Sequence, residues 1–422
     1  MLGDGACVLT RRALSTAAFL WFAGTVSLAA QGAIAPVSRS AAIEAAAARG
    51  GRLAIARADS LGADALLRVA RQWQNPSLSI GYSRSEPQYH YALELPLDLP
   101  FQRRPRVGSA YASQRAARLR TTFERAAIAM EADITYTRAL AAQALAELST
   151  RTALDADSLR RIAIARRDAG DASDMEVALA AVTAGQAANQ ATSDSVAMES
   201  ALLDLEVVIG IDGRVSRITL ADSLTVPPDA VGPARVLTNG PGAPVPLPIA
   251  AALAQLEAAS LASVLARRSV FGAPSITAGF ETGDPTGAQR GRLPTVGLAL
   301  PLPLLNRNGG AVDFAHAEEL RARAELALAE VQARASLARA ERQSAAARAK
   351  VARSSSVVVQ AVRLAAMSLV AYREGAIALP GVLEARRVSR ELQSQYVNDL
   401  ADAWIAEAEL RIRSLTSAPR AP

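Results

Sequence analysis

The chain contains the same pattern twice, at a constant offset of 205 residues. Residues 91–210 align on residues 296–415 without a gap, and the shared positions include Leu93 and Leu298, Pro96 and Pro301, Gly170 and Gly375, and Val177 and Val382. Each copy reads as two short alternating strands followed by a very long helical hairpin. Because four strands are too few to close a β-barrel, the repeat predicts an architecture that extends beyond the single chain.

Each copy contains a predicted β-hairpin, at residues 77–97 and 275–302. In the clearest strand, every second residue shares one face: Tyr89, Tyr91, Leu93, Leu95 and Leu97 on one side, and His90, Ala92 and Glu94 on the other. Strands of about nine residues that are apolar on one face and polar or small on the other are typical of transmembrane β-strands. We therefore expect His90 and Glu94 to face the interior of a barrel.

Uninterrupted helical sequence follows each hairpin, after predicted turns at 100–105 and 303–310. Residues 106–169 contain no proline and a single glycine, Gly108. At about 1.5 Å per residue this segment would span about 96 Å, which is longer than any globular core. We predict helical hairpins at 106–210 and 311–415, with tips near Gly170 and Gly375, that form a rod, a coiled coil or the wall of a tube.

The remaining segments surround these repeats. Arg11 and Arg12 precede an apolar stretch at 13–26, which predicts a secretory signal peptide at 1–29 that contains the sole cysteine, Cys7. The first repeat is expected at 38–210, beginning with an N-terminal helix, and the second at 249–415. A linker rich in proline and glycine is predicted at 211–248, and a disordered tail at 416–422. After the N-terminus, no run approaches the ~20 apolar residues of a membrane-spanning helix.

Composition and motif content argue against several function classes. The net charge of +6 does not predict a nucleic-acid partner, because the arginines are scattered among acids along alanine-rich helices. The two histidines, His90 and His316, lie on different predicted elements, and nothing has the spacing of a metal site. There is no Ser/His/Asp set, no phosphate-binding glycine loop and no cysteine pair. We expect no catalytic residues, no cofactor and no metal site, so the chain is predicted not to be an enzyme.

The predicted strands also indicate an assembly. A sheet in lipid cannot keep an open edge, because each unpaired backbone group costs several kcal/mol in hydrocarbon. The hairpins of several chains must therefore combine. Three chains would supply twelve strands, and the long helices would continue them as twelve rods. The pattern alone permits two, three or four chains.

Several motifs resemble one protein family. They are the doubled pattern Pro-x-(Leu/Ile)-x-x-Gly-(Tyr/Phe) at 76–82 and 274–280, the strand-to-helix junction at 298–310, and the tips at 167–170 and 372–375. The sequence resembles the TolC-like outer membrane factors, the exit ducts of tripartite efflux pumps and type I secretion systems, over about residues 41–415. Residues 94–106 and 301–309 look most like the heavy-metal-efflux branch, the CzcC-like ducts.

This resemblance implies a mainly α fold with β-strands. It would be a trimeric, twelve-stranded outer membrane β-barrel, continued across the periplasm by a long α-helical coiled-coil barrel. The implied function is a passive exit duct, here for heavy-metal cations. The implied partners are two further copies of the chain, outer membrane lipid, a periplasmic adaptor (membrane fusion) protein and a proton-driven inner-membrane transporter.

The resemblance also assigns site residues. Adaptor docking would use the hairpin tips, at Arg167, Asp168, Gly170, Asp171, Arg373, Glu374 and Gly375. A periplasmic gate would involve Glu176 and Glu384, with Arg386 and Arg387 as closing partners. The sequence departs from the family near Gly381, where many relatives carry an aspartate. The plain structural interpretation is that the glycines end helices and the charges are solvated helix ends.

Other functional readings stay open at this point. Drug efflux and type I polypeptide secretion compete with metal-ion efflux, because one duct serves whatever solute its transporter delivers. A coiled-coil structural protein of the cell envelope would explain the long helices but not the doubled strands. A periplasmic small-molecule-binding protein would need a compact core with convergent polar groups.

Overall fold

The structure, a computed structural model, describes residues 35–49, 51–211, 218–228, 245–270, 272–284, 287 and 291–416. The predicted signal peptide at 1–29 lies outside these residues, as does all but the first residue of the predicted tail at 416–422. Much of the predicted linker at 211–248 also lies outside them.

The described residues are mainly helical, with short strands between the helices, as the sequence predicted. The strands are β1 (Ala35–Val37), β2 (Ser77–Tyr82), β3 (Tyr89–Pro96), β4 (Ile218–Leu220), β5 (Ser275–Thr282) and β6 (Leu293–Ala299). The helices are α1 (Arg39–Arg49), α2 (Gly51–Arg71), α3 (Pro100–Asp168), α4 (Asp174–Val208), α5 (Leu247–Arg268), α6 (Gly309–Arg373) and α7 (Leu379–Arg413). The same order occurs twice, as α2-β2-β3-α3-α4 and as α5-β5-β6-α6-α7.

Four strands form one antiparallel sheet in the order β2-β3-β5-β6. The central pair, β3 and β5, comes from the two different halves of the sequence and is paired from end to end. In this register Leu78, Leu93, Ala278 and Val296 lie in one row across the sheet. The two β-hairpins therefore join edge to edge into a single sheet.

The two faces of this sheet differ in charge. Within the four strands, the apolar face carries no Asp, Glu, Lys, Arg or His and consists of Leu78, Ile80, Tyr82, Tyr89, Tyr91, Leu93, Leu95, Ile276, Ala278, Phe280, Thr282, Pro294, Val296 and Leu298. Just outside the strands, the guanidinium of Arg292 lies 5.3 Å from the ring centroid of Phe280 on this face. The polar face consists of Ser77, Ser79, Gly81, His90, Ala92, Glu94, Pro96, Ser275, Thr277, Gly279, Glu281, Leu293, Thr295, Gly297 and Ala299. A contiguous apolar face of this kind indicates contact with lipid or with another apolar surface.

The sheet has two edges that are unpaired within the described chain, β2 on one side and β6 on the other. β6 ends at Ala299, so Leu300 and Leu302 lie beyond the strand, although the predicted hairpin extended to 302. Pro301 and Pro303 explain the earlier end, because a proline has no N–H to donate to a strand ladder.

α3 begins at Pro100, within the segment at 100–105 that the sequence analysis interpreted as a turn. Pro100 suits the first helical turn, where the backbone N–H has no helical partner in any case. Pro105 lies inside the helix and leaves the carbonyl of Phe101 without its usual N–H donor. Arg268, at the end of α5, donates to that carbonyl at 3.0 Å. The tertiary structure therefore compensates for a proline that would otherwise disfavour the helix.

Two very long helices dominate the molecule. α3 has 69 residues and α6 has 65, so at about 1.5 Å per residue each is about 100 Å long. α4 returns along α3, and α7 returns along α6, each over 35 residues. α3 also packs against α7, so the first helical hairpin lies against the second.

A small parallel sheet, β1 with β4, ties the N-terminal segment to the segment between the two halves. A linker was predicted from the sequence at 211–248, but β4 and the start of α5 at Leu247 lie within it. A strand of three residues is too short to show an alternating pattern, so the sequence carried no readable signal for it.

Arg39 connects this small sheet to two long helices. Its guanidinium pairs with the buried carboxylate of Asp133 on α3 and lies 3.8 Å from the ring centroid of Trp404 on α7. The N–H of Arg39 and the hydroxyl of Tyr136 both donate to Asp222, each at 2.8 Å. Burial, followed by the hydrogen bond to Asp222, raises the pKa of Tyr136 to about 12. These contacts form a joint at mid-length of the hairpins, here called the Arg39 joint.

The sole lysine of the sequence joins α6 to α7. Lys350 Nζ lies 2.7 Å from Oδ1 of the buried Asp399, which also accepts hydrogen bonds from Ser354 and Gln395. Burial pushes the pKa of Asp399 upward, but the hydrogen bonds from Lys350, Ser354 and Gln395 outweigh burial and hold that pKa below its ordinary value. A charged carboxylate is therefore kept inside the second helical hairpin.

α5 and part of α6 are long and apolar enough to cross a membrane by length and composition alone. This differs from the sequence analysis, which found no such run after the N-terminus. α5 packs against α3 and α6, and alanine is its commonest residue. Small side chains of this kind also suit closely packed helices.

We expect Gly279→Ala to weaken the sheet and Gly297→Ala to leave it intact. A Cβ at Gly279 would lie 2.3 Å from the carbonyl oxygen of Tyr91, whereas a Cβ at Gly297 would meet only Thr277, at 3.7 Å. Overpacking typically costs about 1–3 kcal/mol. Thermal unfolding of the two detergent-purified variants, followed by circular dichroism, measures the difference. Equal stability of the two variants would contradict the close approach at Gly279.

Candidate functional site

The polar face of the sheet carries both residues that were predicted to face a barrel interior. Glu94 accepts a hydrogen bond from Ser275 Oγ at 2.5 Å. His90 Nδ1 lies 3.1 Å from Glu281 Oε1, directly opposite on β5. Sequence reasoning did not single out Glu281, although the alternation of β5 places it on the same face as Thr277. His90 and Glu94 therefore share one face and have separate partners on the neighbouring strand.

The two predicted hairpin tips use the same backbone geometry. Gly170 has φ +84° and Gly375 has φ +75°. At each tip, the residue after the glycine donates its N–H to the carbonyl five residues earlier, at 2.8 Å. This is the Schellman motif, in which glycine adopts positive φ without the steric cost that a Cβ would bring. A Cβ on either glycine would meet no atom within 4 Å, so the backbone angle alone explains the residue type.

The charges predicted to dock an adaptor are exposed at the tips, and the two tips differ. Arg167 donates to Asp168 at 2.6 Å and lies 3.8 Å from Asp174. The hydrogen bond to Asp168 raises the pKa of Arg167 above its ordinary value. Arg373 and Glu374 are exposed at the second tip and have no ion-pair partner among the described residues. The second tip therefore offers unpaired charges, while at the first tip Arg167 is paired with Asp168 and only Asp171 of the predicted docking charges has no ion-pair partner among the described residues.

Tyr372 joins the two tips, and the predicted site did not include it. Its side chain is fully buried, and the guanidinium of Arg166 lies 4.8 Å from its ring centroid. Arg166 belongs to α3 and Tyr372 to α6, so this cation–π contact crosses between the hairpins. The surrounding apolar cluster is drawn from α3, α4 and α7: Leu159, Ala163, Ala180, Leu379 and Val382. At the repeat offset of 205 residues, Tyr372 aligns with Arg167. This difference in residue type between the two repeats was the sequence signal that could have identified Tyr372.

Three of the four predicted gate residues line one groove between the helical hairpins. The groove has a volume of about 620 Å³, and Glu384, Arg386 and Arg387 are part of its lining. Arg387 pairs with Glu384 at 2.8 Å and with Glu391 at 3.2 Å, all on α7. The hydrogen bond from Arg387 holds the pKa of Glu384 below its ordinary value. Glu384 is therefore an ionised carboxylate whose charge is balanced within its own helix.

Arg386 makes the contact that crosses from one hairpin to the other. Its Nη1 lies 3.1 Å from Oδ2 of Asp155 on α3, and the two side chains are 24% and 65% exposed. Asp155 was not predicted as a site residue, because nothing in the sequence links two positions 231 residues apart. Asp155 and Arg386 therefore form an ion pair at the seam where the tips of the two hairpins meet.

Glu176 lies apart from the other gate residues, in the first turn of α4. Its N–H donates to the capping residue Ser173 at 3.3 Å, in the Ser-x-x-Glu pattern of a capping box. Its Oε2 is buried without a hydrogen-bond partner in the described part of the chain. At the repeat offset Glu176 aligns with Gly381, not with Glu384. The two predicted gate acids thus occupy different positions in the repeat.

The described residues contain no cluster of three His, Cys, Asp or Glu side chains that could hold a metal ion. His90 pairs with Glu281, and His316 lies near the start of α6. A stable protein metal site usually needs three or four convergent ligands.

Solved structures with this fold include several outer membrane channels. The CmeC outer membrane channel of Campylobacter jejuni has a TM-score of 0.75 and 15% identity, over 89% of this chain and 85% of that chain. The outer membrane protein VceC of Vibrio cholerae has a TM-score of 0.72 and 19% identity, over 89% of this chain and 95% of that chain. CusC, studied for folding and transmembrane channel formation, has a TM-score of 0.73 and 15% identity, over 90% of this chain and 92% of that chain.

The likeness to these proteins is one of three-dimensional structure. No protein-family model matches the chain, and no curated protein matches it in sequence. The structural likeness nevertheless spans most of both chains in each comparison. The chain therefore has the fold of these outer membrane channels, which is the fold that the sequence resemblance predicted.

Proposed function

We propose that three copies of this chain form an exit duct in the bacterial outer membrane, as part of a tripartite efflux system. The observation that carries the proposal is the four-stranded sheet, which has an uncharged face and, in the described chain, two unpaired edges. In lipid each unpaired backbone group costs several kcal/mol, so the sheet needs a neighbour on both sides. Pairing β2 of one copy with β6 of the next closes the sheet into a cylinder.

The number of strands supports this closure. Four strands from each of three chains make twelve, an even number within the range of outer membrane barrels. The strands have six to eight residues, which at about 3.4 Å per residue gives lengths of about 20–27 Å. Because strands of such barrels tilt by about 35–45°, these lengths would span about 14–22 Å of an apolar band that is about 25 Å tall. The apolar face would then contact lipid, and the polar face would line a water-filled pore with His90 and Glu94 on its wall.

The long helices support a tunnel that continues the barrel. Val182 and Val196 on α4, and Val359 and Met367 on α6, are each about 60% exposed. Apolar side chains exposed along a long helix favour packing against further helices, which neighbouring copies would supply. Four helices from each chain would form the wall of a periplasmic tunnel. The assembly would conduct solutes passively, without enzymatic activity.

Cryo-electron microscopy of the detergent-purified protein, without imposed symmetry, tests the duct. We expect a threefold particle with a detergent belt about 30 Å thick around the sheet and a helical tube about 100 Å long. A monomer, or a rod without a belt, would rule out the duct and favour a coiled-coil structural protein of the envelope.

We propose that the hairpin tips dock a periplasmic adaptor, and that a proton-driven inner-membrane transporter supplies energy and direction. The unpaired charges of Arg373 and Glu374 support docking at the second tip, because they are free to form ion pairs with another protein. The exposed, locally paired charges of the first tip would contribute less. The proposed docking residues are Arg167, Asp168, Gly170, Asp171, Arg373, Glu374 and Gly375.

We propose that the ion pair of Asp155 with Arg386 helps to hold the periplasmic end of the tunnel closed. It connects α3 with α7 and so resists separation of the two hairpins. An exposed ion pair contributes about 0.2–1 kcal/mol, so three copies contribute at most about 3 kcal/mol. Docking of an adaptor at the tips could offset a contribution of that size. Glu384 and Arg387 would set the local charge of the closed end, with Glu176 at the start of α4.

We expect Arg386→Glu to increase the single-channel conductance of the purified duct in planar lipid bilayers, because two acids would then face each other across the seam. The double variant Asp155→Arg/Arg386→Glu should restore the original conductance. The matched control is Arg151→Glu, whose partner Glu147 lies four residues earlier on the same helix, α3. An unchanged conductance for Arg386→Glu would contradict the closing role of the pair.

We propose heavy-metal cations as the exported solute. The resemblance of residues 94–106 and 301–309 to the heavy-metal-efflux branch supports this choice. The acidic balance of the polar face, with Glu94 and Glu281 against one histidine, also suits cations. Drug efflux and type I polypeptide secretion are the alternatives, because the transporter selects the solute that enters the duct.

Deletion of the chain distinguishes these solutes. We expect the deleted cells to lose tolerance to divalent heavy-metal salts and to keep their tolerance to drugs. A plasmid that supplies the intact chain should restore metal tolerance. Loss of drug tolerance alone would favour drug efflux, and loss of an exported polypeptide would favour type I secretion.

A further inference from the structure

We propose that His90 and Glu281 form a pH-dependent charge pair on the pore wall and that, together with Glu94, they make the barrel prefer cations. This inference rests on the proposed function, because the polar face encloses a pore only when several chains close the sheet. It concerns the selectivity of the barrel itself, independently of the gate at the hairpin tips.

The geometry of the pair allows His90 to take up a proton without rearrangement. His90 and Glu281 are directly opposite in the antiparallel register of β3 and β5. Nδ1 of the imidazole lies 3.1 Å from Glu281 Oε1, and Nε2 lies 3.3 Å from Ser83 Oγ. A hydroxyl group can either donate or accept a hydrogen bond, and a carboxylate can accept one. Both ring nitrogens therefore keep a suitable partner whether the imidazole is neutral or charged.

No other charge on the same face compensates the pair within the four described strands. Within the four described strands, His90, Glu94 and Glu281 are the ionisable side chains of the polar face. β2 places Gly81 opposite His90, and β6 places Leu293 opposite Glu281. Glu94 lies four residues along β3, about 13 Å away. With His90 neutral, each chain contributes two negative charges to the wall, and a trimer contributes six.

Charges on the wall of a wide pore act through water. At 0.1 M salt the Debye length is about 10 Å, and at 1 M it is about 3 Å. The acidic groups should therefore enrich cations near the wall at low salt and have little effect at high salt. Rings of Asp and Glu produce cation preference in other channels by the same electrostatics.

Protonation of His90 would cancel the charge of Glu281 across the pair. Histidine side chains change charge between about pH 5 and pH 8. A chain with a protonated His90 would carry one net negative charge on the wall instead of two. The preference for cations should therefore weaken as the pH falls, while the Glu94 ring keeps it from disappearing.

The test is the reversal potential of the purified protein in planar bilayers, measured across a salt gradient at low ionic strength, at about pH 8 and about pH 5. For the wild-type protein we expect a cation-selective potential that moves towards zero on acidification. Glu281→Gln should move the potential towards zero already at the higher pH. His90→Gln should keep the cation preference and abolish its dependence on pH.

Two controls make the outcome decisive. Ser79→Ala changes the same face without altering charge and should leave the potential unchanged, and each variant is first shown to elute as the same oligomer. A pH-dependent potential that persists in His90→Gln would overturn the inference while the duct stands. If the wild-type protein forms no conducting pore at all, the proposed function fails, and this inference fails with it.

Discussion

The antiparallel sheet has one uncharged face and two outer edges that need strand partners. This need for edge pairing constrains the rest of the molecule. The central pair, β3 with β5, joins the two halves of the chain, and nothing in the described chain pairs with β2 or β6 on the outside. Within the described residues, a single chain therefore leaves the backbone N–H and C=O groups on the outer edges of β2 and β6 without strand partners. The two faces suit different surroundings. The face whose strand residues carry no charge can contact lipid, whereas the face with His90, Glu94 and Glu281 suits contact with water.

The junction between the sheet and the long helices depends on contacts between the two halves. Pro105 removes one backbone hydrogen bond from α3, and Arg268 of the other half replaces the missing donor at the carbonyl of Phe101. Nearby, the carbonyl of Ala258 on α5 accepts a hydrogen bond from Ser109. The direction in which α3 leaves the sheet is therefore set by α5 as well as by its own sequence.

The two helical hairpins are joined at two levels. At mid-length, the Arg39 joint includes a buried carboxylate, Asp133, and removal of one partner of a buried pair typically costs about 3–5 kcal/mol. At the tips, Asp155 and Arg386 form an exposed pair, worth about 0.2–1 kcal/mol. Separation of the hairpins at the tips would also expose the buried apolar cluster around Tyr372, so the ion pair is only one of the contacts that join them there.

The sequence by itself determined the periodic features: the alternation at 89–97, the long helical stretch at 106–169 and the glycines that end α3 and α6. Each of these depends on neighbours a few residues apart. Only the tertiary structure decided which distant side chains meet, such as Glu281 opposite His90 and Asp155 beside Arg386. The physical reason is register. A shift of one residue between β3 and β5 would move Glu281 to the opposite face, and no local pattern in either strand specifies that alignment.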